Sequence, residues 1–166
     1  MQFSCIFCRK CYNEKKPGGR EKSGMELVKF RVAHSTLIEH YQFIEAHLEG
    51  IYAAISGKPF LEGVREVERD SISGVIREIR EVEREKKIKI FTEDDYKQLR
   101  HIIERRNFWC HCCYFELSFD REGGGLARVR DVQTLIQDTE NAEAWRERLR
   151  IQKIELVKKM DRGNLR

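Results

Sequence analysis

Apolar residues recur every three or four positions over most of the chain, which is the spacing that gathers them on one face of an α-helix. The first such run begins after Met25 and predicts an amphipathic helix of about 30 residues. Glycine and proline break helices, so Ser56-Gly57-Lys58-Pro59 is expected to end it. The apolar positions of this first helix are Val28, Leu37, Ile38, Tyr41, Ile44, Leu48, Ile51, Tyr52 and Ile55.

Two interpretations of the next segment are open, because residues 60–70 fit either a short helix or an ordered connection. Asp70 or Ser71 can cap a further helix. The apolar stripe of that helix is Ile72, Val75, Ile76, Ile79 and Val82. Its other face predicts a solvated surface with ion pairs one turn apart, built from Arg77, Glu78, Arg80, Glu81, Glu83, Arg84 and Glu85.

Two more helices complete the pattern. Thr92 and the acidic residues after it form an N-cap, and the helix that follows is expected to reach about Phe119. Three glycines at 123–125 predict a flexible loop, since no strand precedes them and no Gly-Lys-Ser/Thr follows. The last helix runs from about Val129 to Met160. Four or five amphipathic helices with short connections predict an all-α, antiparallel up-and-down bundle.

The charge of the chain is uneven. The 32 Lys and Arg exceed the 28 Asp and Glu by four, and this excess lies within residues 1–24. That segment also holds Cys5, Cys8 and Cys11 and ends in the linker-like sequence Lys-Pro-Gly-Gly-Arg-Glu-Lys-Ser-Gly. We expect a basic, flexible N-terminal extension over 1–24 and one helical domain over 25–166, with Met25 as a possible native start. The domain is neutral, so overall basicity says nothing about its ligand.

Several classes of protein do not fit. There is no apolar run near the roughly 20 residues of a membrane helix, and no secretory signal pattern. We therefore expect a cytoplasmic protein whose cysteines are thiols rather than disulfides. Cys5, Cys8 and Cys11 supply three of the four ligands of a structural zinc site, and the fourth would come from Cys112 or from another molecule. The alternative is an oxidisable segment without metal. Cys110 and Cys113 fit the apolar stripe as small hydrophobic residues.

The third helix carries the candidate chemistry. Its apolar stripe is Leu99, Ile102, Ile103, Trp109, Cys110, Cys113 and Leu117, and Arg106 falls within it. A charged group is almost never fully buried without a partner, so Arg106 must meet an acid on another helix, a second subunit or a bound anion. On a separate line of the same helix lie Arg100, Glu104, Asn107 and His111. In an ideal α-helix His111 is about 140° from Arg106, which favours a site shared between two facing copies.

The segment Glu104-Arg105-Arg106-Asn107-Phe108-Trp109-Cys110-His111 resembles the motif of the HEPN superfamily, an Arg, a polar residue, three others and a His. The order of the helices over most of residues 25–166 is also similar. The resemblance implies a helical homodimer whose motif helices line the interface. It further implies a metal-independent endoribonuclease without cofactor, of the toxin or defence type, and a cognate antitoxin or regulatory protein as a possible partner.

The resemblance gives each motif residue a role. Arg106 would hold the scissile phosphate of RNA, His111 would transfer protons, and Asn107 would orient the pair, with Arg100, Glu104 and Tyr114 in support. One subgroup has a Tyr two residues after the His, where this chain has Cys113 and Tyr114 follows. Two alternatives remain: a catalytically inactive dimer of the same fold that serves as a scaffold or regulator, and a zinc-stabilised nucleic-acid-binding module.

Overall fold

The computed structural model describes residues 25–113, 126–127 and 129–162. These residues form five α-helices and a short antiparallel strand pair, in which Met25–Glu26 (β1) pairs with Leu126–Ala127 (β2). The helices are α1 Leu27–Ser56, α2 Phe60–Val67, α3 Ile72–Lys86, α4 Glu93–Asn107 and α5 Val129–Asp161. A π-helical turn, Phe108–Cys112, continues α4. The predicted glycine loop and the end of the third helix after Cys113 lie outside the described residues.

The helix boundaries follow from local hydrogen bonding. Ser71 caps α3 by accepting a bond from the Gly74 amide (3.2 Å). Thr92 and Asp95 form a reciprocal capping box at the start of α4, with bonds of 3.2 and 2.8 Å. Gly57 follows α1 with φ of 84°, a left-handed conformation that favours glycine. These predictions from the sequence are confirmed.

The segment that the sequence left open is a helix, α2. Gly63 makes its close approach to α1 possible, because a Cβ at that position would lie 2.8 Å from the Ala53 Cα. Counting α2, the five helices of the described residues alternate in direction. The first and last therefore run parallel, which is visible where Arg146 contacts His40 and Lys153 crosses Gly50. A bundle of four alternating helices would have made them antiparallel.

The core lies along one line of α1. Phe30, Leu37, Ile44 and Ile51, seven residues apart, are fully buried. The prediction that Val28 belongs to this line is wrong: its side chain is 69% exposed, because it lies about 160° round the helix from Phe30. Across the bundle the remaining core is formed by Val75, Ile79, Leu99, Ile102, Trp109, Leu135, Ala142 and Leu149, among others.

The charged face of α3 contains one exception to the predicted solvated surface. Glu83 is buried, and its carboxylate accepts bonds from the amides of Ile90 and Phe91 and from the Tyr96 hydroxyl. It thereby satisfies the backbone of the turn between α3 and α4. No helix within the described ranges is both long and apolar enough to cross a membrane.

Candidate functional site

Arg106 lies near the end of α4, where its side chain is 32% exposed. Its guanidinium faces α1, with Nη2 3.9 Å from the Glu45 carboxylate, and Nη1 donates to Asn107 Oδ1 at 3.3 Å. The partner of Arg106 is thus an acid on another helix, which is one of the three alternatives that the sequence left open. The contact is at the outer limit of an ion pair, and Arg106 retains donors that a phosphate can use.

The tightest ion pair of this region involves the neighbouring arginine. Arg105 Nε and Nη2 lie 2.8 and 2.7 Å from Asp138 Oδ2 on α5. The same oxygen accepts the Trp109 indole N–H at 2.6 Å. Asp138 is only 7% exposed, so this network fixes the end of α4 against α5. This network was not predicted from the sequence, although an Asp three residues after Leu135 in the apolar stripe of α5 indicates a buried acid.

The π-helical turn changes the geometry of the motif. The Cys113 amide donates to the Phe108 carbonyl, five residues back, so this turn contains more residues than an α-helical one. The rotation per residue is therefore smaller, and the angle between Arg106 and His111 is less than the 140° or so of an ideal α-helix. The sequence predicted that a single helix points Arg106 and His111 far apart. That prediction assumed α-helical geometry, whereas this turn is π-helical.

The side chain of His111 is exposed, as are those of Asn107, Glu104 and Arg100. This agrees with the predicted polar line along the helix. Within the described part of the chain, His111 takes part in no hydrogen bond or ion pair. Tyr114 lies outside the described residues.

The cysteines of the turn differ in their surroundings. Cys110 is exposed, so its predicted place in the apolar stripe is wrong. Neighbouring protein atoms still desolvate its thiol enough to raise the pKa, while the positive charge of Arg106 opposes that shift. Cys113 is buried as predicted, and its thiol donates to the Trp109 carbonyl at 3.1 Å. A thiol with a raised pKa is a poor nucleophile at neutral pH.

His34 on α1 contacts the π-helical turn. Its Nε2 lies 2.9 Å from the Trp109 carbonyl oxygen and 3.6 Å from Cys113 Sγ, and its ring stacks on Phe30. An N–H on Nε2 donates to that carbonyl, which a π-helical turn leaves accessible. His34 was not predicted as part of the site, because a histidine on the first helix has no spacing relation to the motif.

The described residues provide no support for a metal site. No group of three or more His, Cys, Asp or Glu side chains there is arranged to hold a metal ion. Cys5, Cys8 and Cys11, the predicted partial zinc set, lie outside the described residues.

Comparisons with known proteins do not assign the chain. No protein-family model matches it, and neither the curated proteins nor the solved structures gave a match. The site must therefore be interpreted from its own geometry.

Proposed function

We propose that this protein is a metal-independent endoribonuclease of the toxin or defence type, HEPN-like in fold. Its active site is built from Arg106, Asn107 and His111 and is completed across a homodimer interface. The observation that carries the proposal is the π-helical turn at Phe108–Cys112. π-Helical turns are rare in proteins, and those that occur are often found at functional sites. This one begins two residues after Arg106 and contains the exposed His111.

The contacts suit the three roles. Arg106 is permanently charged and can bind two oxygens of one phosphate, stabilising the charge that develops there. Asn107 accepts a hydrogen bond from Arg106 and so orients the guanidinium. His111 is solvent-accessible, and an imidazole can act both as a general acid and as a general base.

The reaction follows from these groups. The ribose 2′-oxygen forms a bond to phosphorus while the bond from phosphorus to the 5′-oxygen breaks. A histidine accepts the 2′-hydroxyl proton or donates a proton to the leaving 5′-oxygen. The products are a 2′,3′-cyclic phosphate and a 5′-hydroxyl, and no metal takes part. Two copies would supply two histidines, one for each proton transfer.

A second candidate is an inactive helical dimer that acts as a scaffold or regulator. The contact between Arg106 and Glu45 favours it, because an arginine already facing a carboxylate has a structural role without any phosphate. In that case His111 is one more exposed histidine.

RNA cleavage in excess EDTA separates the two. Purified full-length protein is incubated with structured and unstructured RNAs beside His111→Ala and Arg106→Ala, and products are tested for a 2′,3′-cyclic phosphate. We expect cleavage by the wild type and a loss of at least 100-fold in each variant, in line with general acid–base catalysis.

Matched controls come from the same fold. His101→Ala removes an exposed histidine of the same helix, and Arg77→Ala removes an exposed arginine of α3. Both controls should cleave at the wild-type rate. Cleavage that persists in His111→Ala, or its absence from the wild type on every RNA, refutes the ribonuclease and favours the scaffold.

A further inference from the structure

Positive charge is concentrated at one end of the bundle, although the domain as a whole is neutral. The helices α1, α3 and α5 all finish at this end, because the helices of the described residues alternate in direction. Residues 84–89 and 155–162 lie there and contain seven Lys and Arg against three Asp and Glu. Five exposed lysines of these two stretches take part in no ion pair within the described residues, and we call them the basic end: Lys86, Lys87, Lys89, Lys158 and Lys159.

Two contacts bring the basic stretches together. The Nζ atom of Lys86 lies 2.7 Å from the place that a Cβ of Gly57 would occupy, so this lysine lies over the end of α1. Gln152 of α5 donates to the Ile90 carbonyl at 2.8 Å, which holds the turn between α3 and α4 against α5. Lys159 follows Gln152 by seven residues, which places it two turns further along the same side of α5. The two stretches are therefore neighbours in space.

The helix ends account for only part of this cluster. The C-terminus of a helix carries partial negative charge, which favours the lysines in the last turns of α3 and α5. That effect is confined to the last turn, whereas Lys89 lies three residues beyond α3. Like charges gathered without counter-charges raise the local potential, and such a surface attracts anions.

The surroundings of these lysines fit a chain of phosphates better than a protein or a membrane. Neither basic stretch contains an exposed large apolar side chain. Protein interfaces have an apolar core, and helices that bind a membrane surface insert an apolar face. Contacts to the phosphates of a nucleic acid, in contrast, need only cations in suitable positions.

We propose that the basic end binds the phosphate backbone of RNA at a distance from the site of cleavage; the choice of RNA rests on the proposed function. His34 contacts the π-helical turn, and Lys86 lies over the end of α1. Ser56, the last residue of α1, follows His34 by 22 residues, or about 33 Å of helix. A base-stacked strand advances about 3.4 Å per nucleotide, so it occupies both sites only when it is longer than about ten nucleotides.

Binding of an RNA that cannot be cleaved tests the basic end separately from catalysis. The probe is a fluorescent 2′-O-methyl RNA of about 25 nucleotides, which lacks the attacking hydroxyl, and its binding to the full chain is followed by anisotropy. The two variants are Lys87→Gln/Lys89→Gln and Lys158→Gln/Lys159→Gln. Each should bind the probe at least ten-fold more weakly than the wild type. The slope of log affinity against log salt should fall by about 1.4, which corresponds to two lost phosphate contacts on a single strand.

Arg65→Gln/Arg69→Gln is the matched control, since it removes two exposed cations of α2 and the segment after it. This control should bind the probe like the wild type, and circular dichroism checks that every variant is folded. An equal loss in the control, or no loss in either lysine variant, overturns the proposal. Lysine-dependent binding to phosphatidylserine vesicles by a protein that does not bind the probe overturns it too and assigns the basic end to a membrane surface.

Cleavage of unmodified RNA distinguishes this proposal from the proposed function. Both lysine variants should lower kcat/KM by about ten-fold for an RNA of about 25 nucleotides and leave it unchanged for one of about six, because a stacked strand of that length does not occupy both sites. Lysine-dependent binding of the probe without any cleavage refutes only the ribonuclease. Equal kcat/KM for the longer RNA in the lysine variants and the wild type refutes only the role of the basic end.

Discussion

Trp109 donates its indole N–H to the Asp138 carboxylate over 2.6 Å, and this bond joins the π-helical turn to α5. Both residues are buried. The same carboxylate oxygen also accepts from Arg105, so one atom of α5 fixes two consecutive turns of the motif helix. The position of His111 thus depends on a residue that is far from it in sequence.

Removing this carboxylate should destabilise the fold and disturb the site. Asp138→Ala leaves the Arg105 charge and the Trp109 indole without their acceptor, and breaking a buried pair costs about 3–5 kcal/mol. We expect a loss of that order in the free energy of unfolding, measured by urea denaturation. Glu140→Ala, an exposed acid of the same helix, should change it by less than about 0.5 kcal/mol. Equal losses in both variants would contradict the role of the network.

Neutralising Glu45 should strengthen anion binding at Arg106. Glu45→Gln removes the only carboxylate that faces Arg106 among the described residues, at 3.9 Å, and leaves the shape of the side chain almost unchanged. The expected result is tighter binding of RNA, measured by fluorescence anisotropy at fixed salt, with little change in stability. The same substitution in an Arg106→Ala background should have no effect, and weaker RNA binding by Glu45→Gln alone would exclude a phosphate site at Arg106.

His47 should make the fold less stable in mild acid. Burial, with Lys153, Arg150 and Arg146 nearby, lowers the pKa of His47 to about 4, while a nearby Glu147 acts in the opposite direction. The unfolded chain binds a proton below about pH 6.5 and the folded one only near pH 4, so stability falls as the pH drops between these values. We expect a loss of about 2 kcal/mol from pH 7 to pH 4.5, attributable to this residue.

The pH dependence is measured by chemical denaturation at several pH values. His47→Gln should abolish most of the slope between pH 6.5 and pH 4.5, and any remainder is expected from His40, whose pKa burial also lowers. His101→Gln, at an exposed position, should keep the wild-type slope. An unchanged slope in His47→Gln would show that this histidine is protonated in the folded state.

Glu83 should be the most sensitive acid of α3. Glu83→Ala leaves two backbone amides and the Tyr96 hydroxyl without their acceptor, at a cost of about 3 kcal/mol or more. Thermal unfolding should show a much lower Tm, whereas Glu85→Ala on the same helix should lie close to the wild type, because Glu85 is exposed. A Glu83→Ala variant as stable as Glu85→Ala would mean that water replaces the carboxylate.

The sequence predicted those parts of the fold that depend on local spacing. α1 ends at Ser56 as expected, and Ser71 and Thr92 cap their helices, because periodicity and capping involve residues only a few positions apart. The parallel arrangement of α1 and α5 was not predictable, since it follows from the state of residues 60–70, where the pattern fitted two structures equally well.

The candidate site was also predicted only in part, because only its local sequence spacing could be recognised. The spacing of Arg106 and His111 indicated the motif, and the apolar stripe showed that Arg106 needs a partner. Identifying Glu45 and Asp138 required knowledge of which helices are adjacent. The π-helical turn has no local sequence signature in this chain, and it explains why the ideal angle between Arg106 and His111 does not apply.

The parallel pairing of α1 with α5 has a consequence for how the chain acquires its structure. Gly50 meets Lys153, and Tyr41 is near Asp138, so the most extensive contact in the bundle joins segments about 100 residues apart in sequence. During synthesis on the ribosome, the buried line of α1 has no α5 to cover it until almost the whole polypeptide has emerged. Nascent chains that lack α5 should therefore expose the apolar surface of α1 that α5 covers and be substrates for chaperones.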